Sequence, residues 1–357
     1  MTTGTERDHE HPGAVMAQEM AEQPDVIAGL VARRDDIAAT VAATLPRPHV
    51  GTVLVARGSS DYAAVYARYA LEAIGGRHAA LAAASLHTRY RVTTDLHGFL
   101  AVGVSQSGRT PEIVETLERM GGCGARTLAV TNDAGSPLAD VADGVLALRA
   151  GQEVAVPATK TFTGQVTAFA LLAEALGGTP RWPRADWDRT VDVVGELLTD
   201  VEAPAAAAEV LRDAQRLLSV GRGYLYAVAL EAALKIAETT SMLATGWSPP
   251  DLLHGPIAVA GQQLHALCHA TPGPTFDDVV EAAAALRARG ATVSAVTQPD
   301  ADLPVDGALL AVPAGIPEPL TPLVYVVRAQ QLAWRLARLR GIDPDHPPGL
   351  QKVTQTR

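Results

Sequence analysis

The chain has 357 residues, 48% apolar and 19% charged, with a formal net charge of −10 at pH 7. That length and composition allow two ordinary domains with a large core of small aliphatic side chains, and they exclude a disordered chain. The negative balance excludes a general nucleic-acid or anionic-membrane binder, which needs a basic face, and no run approaches the length of a membrane span.

Two cysteines, Cys123 and Cys268, give neither a disulfide framework nor a zinc pattern, and a reducing cytoplasm is the expected home. Met1 to His11 is polar and acidic, unlike a signal peptide. Residues 1–15 are expected as a disordered tail, with His9 and His11 solvated rather than holding a metal. Residues 16–47 read as a helical segment that Pro24 breaks or kinks. Apolar runs then predict strands near 50–56, 98–104, 126–131 and 144–148. A second set follows near 216–221, 264–268, 292–297 and 308–312. Stretches with a 3.6-residue period lie between them at 61–74, 111–120, 277–289 and 320–340. A helix from Thr161 to Leu176 is stopped by Gly177-Gly178-Thr179-Pro180. His265 and His269 flank Cys268 on a strand and read as core or edge residues.

Continuous apolar strands alternating with helices mean parallel sheets covered on both faces. The fold class is α/β, two tandem doubly wound, flavodoxin-like domains at 48–177 and 201–343. A linker and helix at 178–200 joins them, and a tail runs over 344–357. Weak repeats support an internal duplication. Val55-Ala56-Arg57-Gly58 pairs with Val220-Gly221-Arg222-Gly223, Ala129-Val130-Thr131 with Ala295-Val296-Thr297, and Asp143-Gly144 with Asp306-Gly307.

The most informative stretch is Val102-Gly103-Val104-Ser105-Gln106-Ser107-Gly108-Arg109-Thr110. A strand ends in small hydroxyl residues and a glycine, and a helix opens at Pro111. Such a turn aims N–H groups and the positive end of a helix at one spot, which suits phosphate. Simple capping by Ser or Thr is the bland alternative, but four hydrogen-bonding side chains in six positions exceed what one cap needs. Arg57-Gly58-Ser59-Ser60-Asp61 is a second such turn. Pro157-Ala158-Thr159-Lys160-Thr161 is a third polar run, in which Thr159 caps a helix and Lys160 is solvated, or both converge on the same anion. In the second half, Glu231, Lys235 and Glu238 share a helix face. Spacing alone makes them a surface ion pair, while a half-buried Glu beside a Lys is also how a general base is tuned. The helix follows the Arg222-Gly223 turn, so its first turns are expected near the crevice. His254 precedes Gly255-Pro256 in a rigid turn and suits proton transfer. In the tail, Pro344, Pro347 and Pro348 can fix the path that leads to Lys352.

These residues resemble the sugar isomerase (SIS) superfamily from about Met16 to Lys352. The similarity is greatest to the branch holding the isomerase half of glutamine–fructose-6-phosphate aminotransferases and the glucosamine-6-phosphate deaminases. The resemblance implies that Ser60, Ser105, Gln106, Ser107 and Thr110 bind a sugar phosphate, with Gly58, Ser59, Val156, Ala158 and Thr159 lining the site. It implies Glu238 as the base between C1 and C2, and Lys235 as support. His254 would assist ring opening from a second subunit, and Lys352 would contact the open-chain carbonyl or form an imine with it. No metal or organic cofactor is implied, and the expected assembly is a homodimer. With Cys123 as its first cysteine, the chain is expected to be without the cysteine-nucleophile glutaminase domain of the aminotransferases. It also has Arg109 for a glutamate, Ala158 for a serine beside Pro157, and a different Ser248-Pro249-Pro250-Asp251 stretch. The expected activity is isomerising deamination of glucosamine 6-phosphate. The alternatives are a lyase or dehydratase acting on the N-acetyl sugar phosphate and a non-catalytic sugar-phosphate sensor.

Overall fold

The computed structural model describes residues 11–352; residues 1–10, with His9, and 353–357 lie outside that range. Three helices come first: α1 (Ala14–Ala21), α2 (Gln23–Ala32) and α3 (Arg34–Thr44). Pro24 sits in the first turn of α2, where its missing N–H breaks no helical bond, so it separates two helices rather than kinking one. Residues 11–15 are not a frayed tail. Asp345 accepts hydrogen bonds from the main-chain N–H groups of Val15 and Met16 and fastens the start of α1.

The first domain runs β1 (Gly51–Val55), α4 (Ser59–Ala73), β2 (Ala79–Leu81), α5 (Ala84–Thr88), β3 (Phe99–Val104), α6 (Pro111–Gly122), β4 (Arg126–Thr131), α7 (Pro137–Asp140), β5 (Gly144–Ala147) and α8 (Lys160–Gly177). After the predicted break, α9 (Arg184–Thr199) leads into the second domain. That domain runs α10 (Glu202–Val210), β6 (Arg216–Gly221), α11 (Leu225–Thr240), β7 (Leu243–Trp247), α12 (Pro249–Leu253), β8 (Leu264–His269), α13 (Phe276–Ala288), β9 (Thr292–Thr297), β10 (Leu309–Ala311) and α14 (Thr321–Leu339). Each sheet has five parallel strands, in the orders β2-β1-β3-β4-β5 and β10-β9-β8-β6-β7. Among the described residues, no helix is long and apolar enough to cross a membrane.

Read from its other edge, the second sheet is β7-β6-β8-β9-β10, the topology of the first. The short repeats fall on equivalent places. Gly58 and Gly223 close the first turn of each domain with φ of +58° and +61°. Asp143 accepts from the Thr127 amide at 2.8 Å, and Asp306 accepts from the Val293 amide at 2.7 Å. In each copy the aspartate before the last strand thus ties down the preceding one. β2 and β7 are strands that the apolar runs did not reveal. Both lie at sheet edges, and β7 carries Thr245 and Gly246 with Leu243 in solvent. Cys268 and His269 are buried in β8, where His269 Nε2 lies 3.0 Å from Ser219 Oγ.

One hydrophobic core passes through both domains. Tyr66 of α4, Phe162 and Phe169 of α8, Ile236 of α11 and Leu332 of α14 belong to it, and all are buried. Tyr224, at the head of α11, adds a tilted aromatic contact to Tyr66 and Tyr69 with ring centres 6.0 and 6.1 Å away. Gly246 lets β7 lie against α11. A Cβ there would fall 2.7 Å from the Leu230 Cα and 2.9 Å from its main-chain N, and backbone atoms cannot swing aside. Gly246→Ala should therefore destabilise the protein by about 1–3 kcal/mol through overpacking. The expected result is a lower urea midpoint at unchanged slope.

Candidate active site

The carboxyl ends of β1 and β3 lie at the point where strand order reverses, the usual ligand crevice of an open α/β sheet. β1 turns through Gly58 into Ser59 and Ser60 at the head of α4. The Ser60 hydroxyl accepts from the Gln165 amide nitrogen at 2.8 Å. β3 turns through Ser105 to Thr110 into α6. Gly108 has φ +62°, and a Cβ there would fall 2.0 Å from Ser136 Oγ. Its N–H donates to the Ser105 hydroxyl at 3.2 Å, and the Arg109 N–H donates to the Ser107 hydroxyl at 3.2 Å. Thr110 precedes α6 yet makes no side-chain cap bond. Its hydroxyl lies 3.4 Å from Ser105 Oγ, so capping does not account for it. Arg109 turns out of the loop to Asp133, at 2.9 Å.

A cavity of about 340 Å³ lies over these turns. The first domain lines it with Gly58, Ser59, Ser60, Ser105, Gln106, Ser107 and Thr110, and with Val156 and Ala158 from the loop before α8. The second domain contributes Lys235 and Glu238, and the C-terminal tail contributes Lys352. Two expected residues do not join them. Thr159 is buried at the head of α8, where its N–H donates to Glu153 at 2.9 Å. His254 is exposed in the turn after α12, and its Nδ1 lies 2.7 Å from the Pro250 carbonyl.

The α11 face is no surface ion pair. Glu231 and Lys235 are wholly buried, whereas the Glu238 side chain keeps 23% exposure and so reaches the cavity. Lys235 Nζ lies 2.5 Å from Glu238 and 3.5 Å from Glu231. Burial alone would strip Lys235 of its charge, but the two carboxylates outweigh that and shift its pKa upward. Burial pushes Glu231 up to about 8, against the opposing pull of Lys235. The Glu231 carboxyl accepts from the Ser59 hydroxyl at 3.0 Å. The helix offers its later turns rather than its first ones. Leu225 lies at the carboxyl end of the second sheet, and Lys235 is about 15 Å further along the axis at 1.5 Å per residue.

Two further groups shape the site that the linear pattern did not single out as candidates. Arg57 lines the cavity and donates from Nε to Glu112 at 2.9 Å and from Nη1 to the Ala56 carbonyl at 2.9 Å. Glu153 is buried and accepts from Lys352 Nζ at 2.9 Å, from the Thr161 hydroxyl at 2.6 Å and from the Thr159 and Thr161 amides. Burial would raise its pKa, but Lys352 and these hydrogen bonds outweigh burial and leave it below the usual carboxylate range. Lys160 is neither solvated nor at the anion site; it is buried and paired with Glu22. A compositional signal was available: Lys160, Lys235 and Lys352 are the chain's only lysines among 29 basic residues. All three are held by carboxylates, and Lys235 and Lys352 line the cavity.

The SIS domain family model matches residues 52–175 and 210–336. A glutamine–fructose-6-phosphate aminotransferase (isomerizing) of Methanothermobacter thermautotrophicus is 31% identical over 343 residues, covering 94% of this chain and 56% of that protein. The same-named protein of Thermosynechococcus vestitus is 34% identical, covering 84% and 50%. The chain thus spans about half the length of the curated relatives it matches. Among solved structures, a Silicibacter pomeroyi protein assigned provisionally as a phosphosugar isomerase superposes with a TM-score of 0.79 at 31% identity, covering 92% of this chain and 99% of that one. A glucosamine-6-phosphate deaminase of Thermotoga maritima shares the fold, with a TM-score of 0.71 at 21% identity over 93% and 99% of the two chains. Two copies of one parallel-sheet topology, each matched by the same family model, make this chain a member of the SIS-domain family.

Proposed function

We propose that the protein is a sugar-phosphate isomerase acting on an amino sugar, and that its reaction is isomerising deamination of glucosamine 6-phosphate. The observation that carries this reading is the composition of one cavity, with hydroxyl-rich turns from one domain facing a carboxylate–ammonium pair from the other. Ser60, Ser105, Gln106, Ser107 and Thr110 hold the phosphate with neutral donors and the start of α6. Fixing that end turns binding energy into orientation at C1 and C2.

In the open-chain aldose, Glu238 takes the C2 proton. The electron pair of the C–H bond forms the C1–C2 double bond, and negative charge develops on O1. Lys352, paired with Glu153 at 2.9 Å, stabilises that charge. Its ion pair favours this role over imine formation. Lys235 keeps the Glu238 carboxylate in place. Return of the proton to C1, with one nitrogen proton passing to O1, gives a C2 imine, which water hydrolyses to fructose 6-phosphate and ammonia. His254 lies outside the cavity of its own chain, so its part in ring opening requires a second copy.

Incubation with glucosamine 6-phosphate should release ammonia and fructose 6-phosphate in equal amounts. Turnover of only the N-acetyl form, with loss of water, would replace deamination by dehydration. Tight binding without turnover of either would leave a sensor. Glu238→Gln should lower C2 deuterium exchange by about 10²–10⁴-fold, the usual range for a lost general base. Inhibition by inorganic phosphate should stay unchanged, and retained exchange removes Glu238 from the role. Gly108→Ala should raise KM about tenfold or more, because its Cβ displaces the phosphate turn. Gly178→Ala tests backbone strain alone, since Gly178 has φ +77° with no atom within 4 Å of its Cβ position; its KM should not change. Mixing inactive Glu238→Gln and His254→Asn proteins should restore part of the activity if His254 enters a partner's cavity. No recovery after subunit exchange counts against that arrangement.

A further inference from the structure

Helix α1 bonds to both segments that meet at Lys352, the tail at Asp345 and the loop at Val154. At its start, the Val15 and Met16 amides donate to the two carboxylate oxygens of Asp345, at 3.0 and 2.7 Å. A negative group there meets unpaired N–H groups and the positive end of the helix. Asp345 is buried, and its own carbonyl accepts from the amide of Val156, a cavity residue, at 3.0 Å. Beside it, Gly13 donates to Asp343 at 3.0 Å and accepts from the Trp334 indole at 2.7 Å. Midway along α1, Glu19 accepts from the Val154 amide, the residue next to Glu153. Its other carboxylate oxygen is buried without a hydrogen-bond partner. Burial pushes this carboxyl up to about 7, and Glu153 adds to the shift. Past the end of α1, Glu22 pairs with Lys160 at the head of α8.

One short helix is thus bonded to the tail at Asp345, to the loop at Val154 and, through Glu22, to α8. The only path from Asp345 to Lys352 is a seven-residue stretch that contains Pro347 and Pro348, whose fixed φ stiffens it. Lys352 then closes on Glu153, one residue from the Glu19 contact.

We propose that α1 is a brace between the C-terminal tail and the 153–158 loop, and that Asp345 and Glu19 are positioning residues for Lys352. The inference rests on Lys352 acting in this cavity, but its test needs no substrate. The chain's three lysines make it readable: limited acetylation of the full-length protein, followed by mass spectrometry, reports Lys160, Lys235 and Lys352 separately. Asp345→Ala should speed acetylation of Lys352 about fivefold or more, the size of effect expected from a lost helix cap. Lys235, buried in α11, should keep its wild-type rate. Asp345→Asn, whose single amide oxygen can hold only one of the two N–H groups, should fall between. Glu19→Ala should also speed the labelling, whereas Glu19→Gln, which keeps the acceptor for Val154, should restore the wild-type rate. A Lys352 rate unchanged in both Asp345 variants overturns the proposal, as does an equal rise at Lys235 in Asp345→Asn. If the sugar-phosphate reading holds, Asp345→Asn should lower kcat about tenfold with little change in KM, since the phosphate turns are untouched. Altered labelling in a protein that turns over no sugar phosphate would retain the brace and remove the reaction.

Discussion

Lys235 is an ammonium ion taken out of water between two carboxylates, and the junction of the two domains is built around it. Such a charge is costly to bury and persists only when its partners are in place; removing one partner of a buried pair typically costs about 3–5 kcal/mol. Those partners are spread along α11 so that each faces a different neighbour. Glu231 meets the Ser59 hydroxyl at the head of α4, and Glu238 reaches the cavity. The charge requirement that sets α11 against α4 therefore also sets the Glu238 carboxylate opposite the hydroxyl-rich turns. Stability and site geometry share one constraint.

The same logic operates at the other end of the cavity. Glu153 is buried and charged, and it is surrounded by Lys352, Thr159 and Thr161. The cavity is framed by two charge clusters, one supplied by the second domain and one by the chain's far ends folding together. Between them, the Ser105–Thr110 turn offers neutral side-chain donors to the cavity, and its own arginine, Arg109, is drawn off to Asp133.

Local chemistry was legible in the linear chain; chemistry assembled across distance was not. The central strands of both sheets are buried on both faces and read as continuous apolar runs. β2 and β7 lie at edges and lose that signature. The serine-rich turn from Ser105 to Thr110 announces itself because its donors are adjacent in sequence. The helical spacing of Glu231, Lys235 and Glu238 was visible, but their burial depends on packing against the first domain, which spacing does not encode. Glu153, Glu19 and Asp345 acquire meaning only when residues about 130 to 330 positions apart become neighbours. The near-exclusive use of arginine elsewhere marks Lys160, Lys235 and Lys352 as places where a compact, flexible cation is wanted.

The two domains share a topology but not a use of their first turn. Gly58 opens onto Ser59 and Ser60, whereas Gly223, with the same backbone twist, opens onto Tyr224 and Leu225. Tyr224 is spent on Tyr66 and Tyr69 of the other domain. Two copies of one topology thus use the same corner differently: one leaves it open to the cavity, and the other turns it into glue. Opening the second corner would loosen the aromatic seam by which the two repeats hold each other.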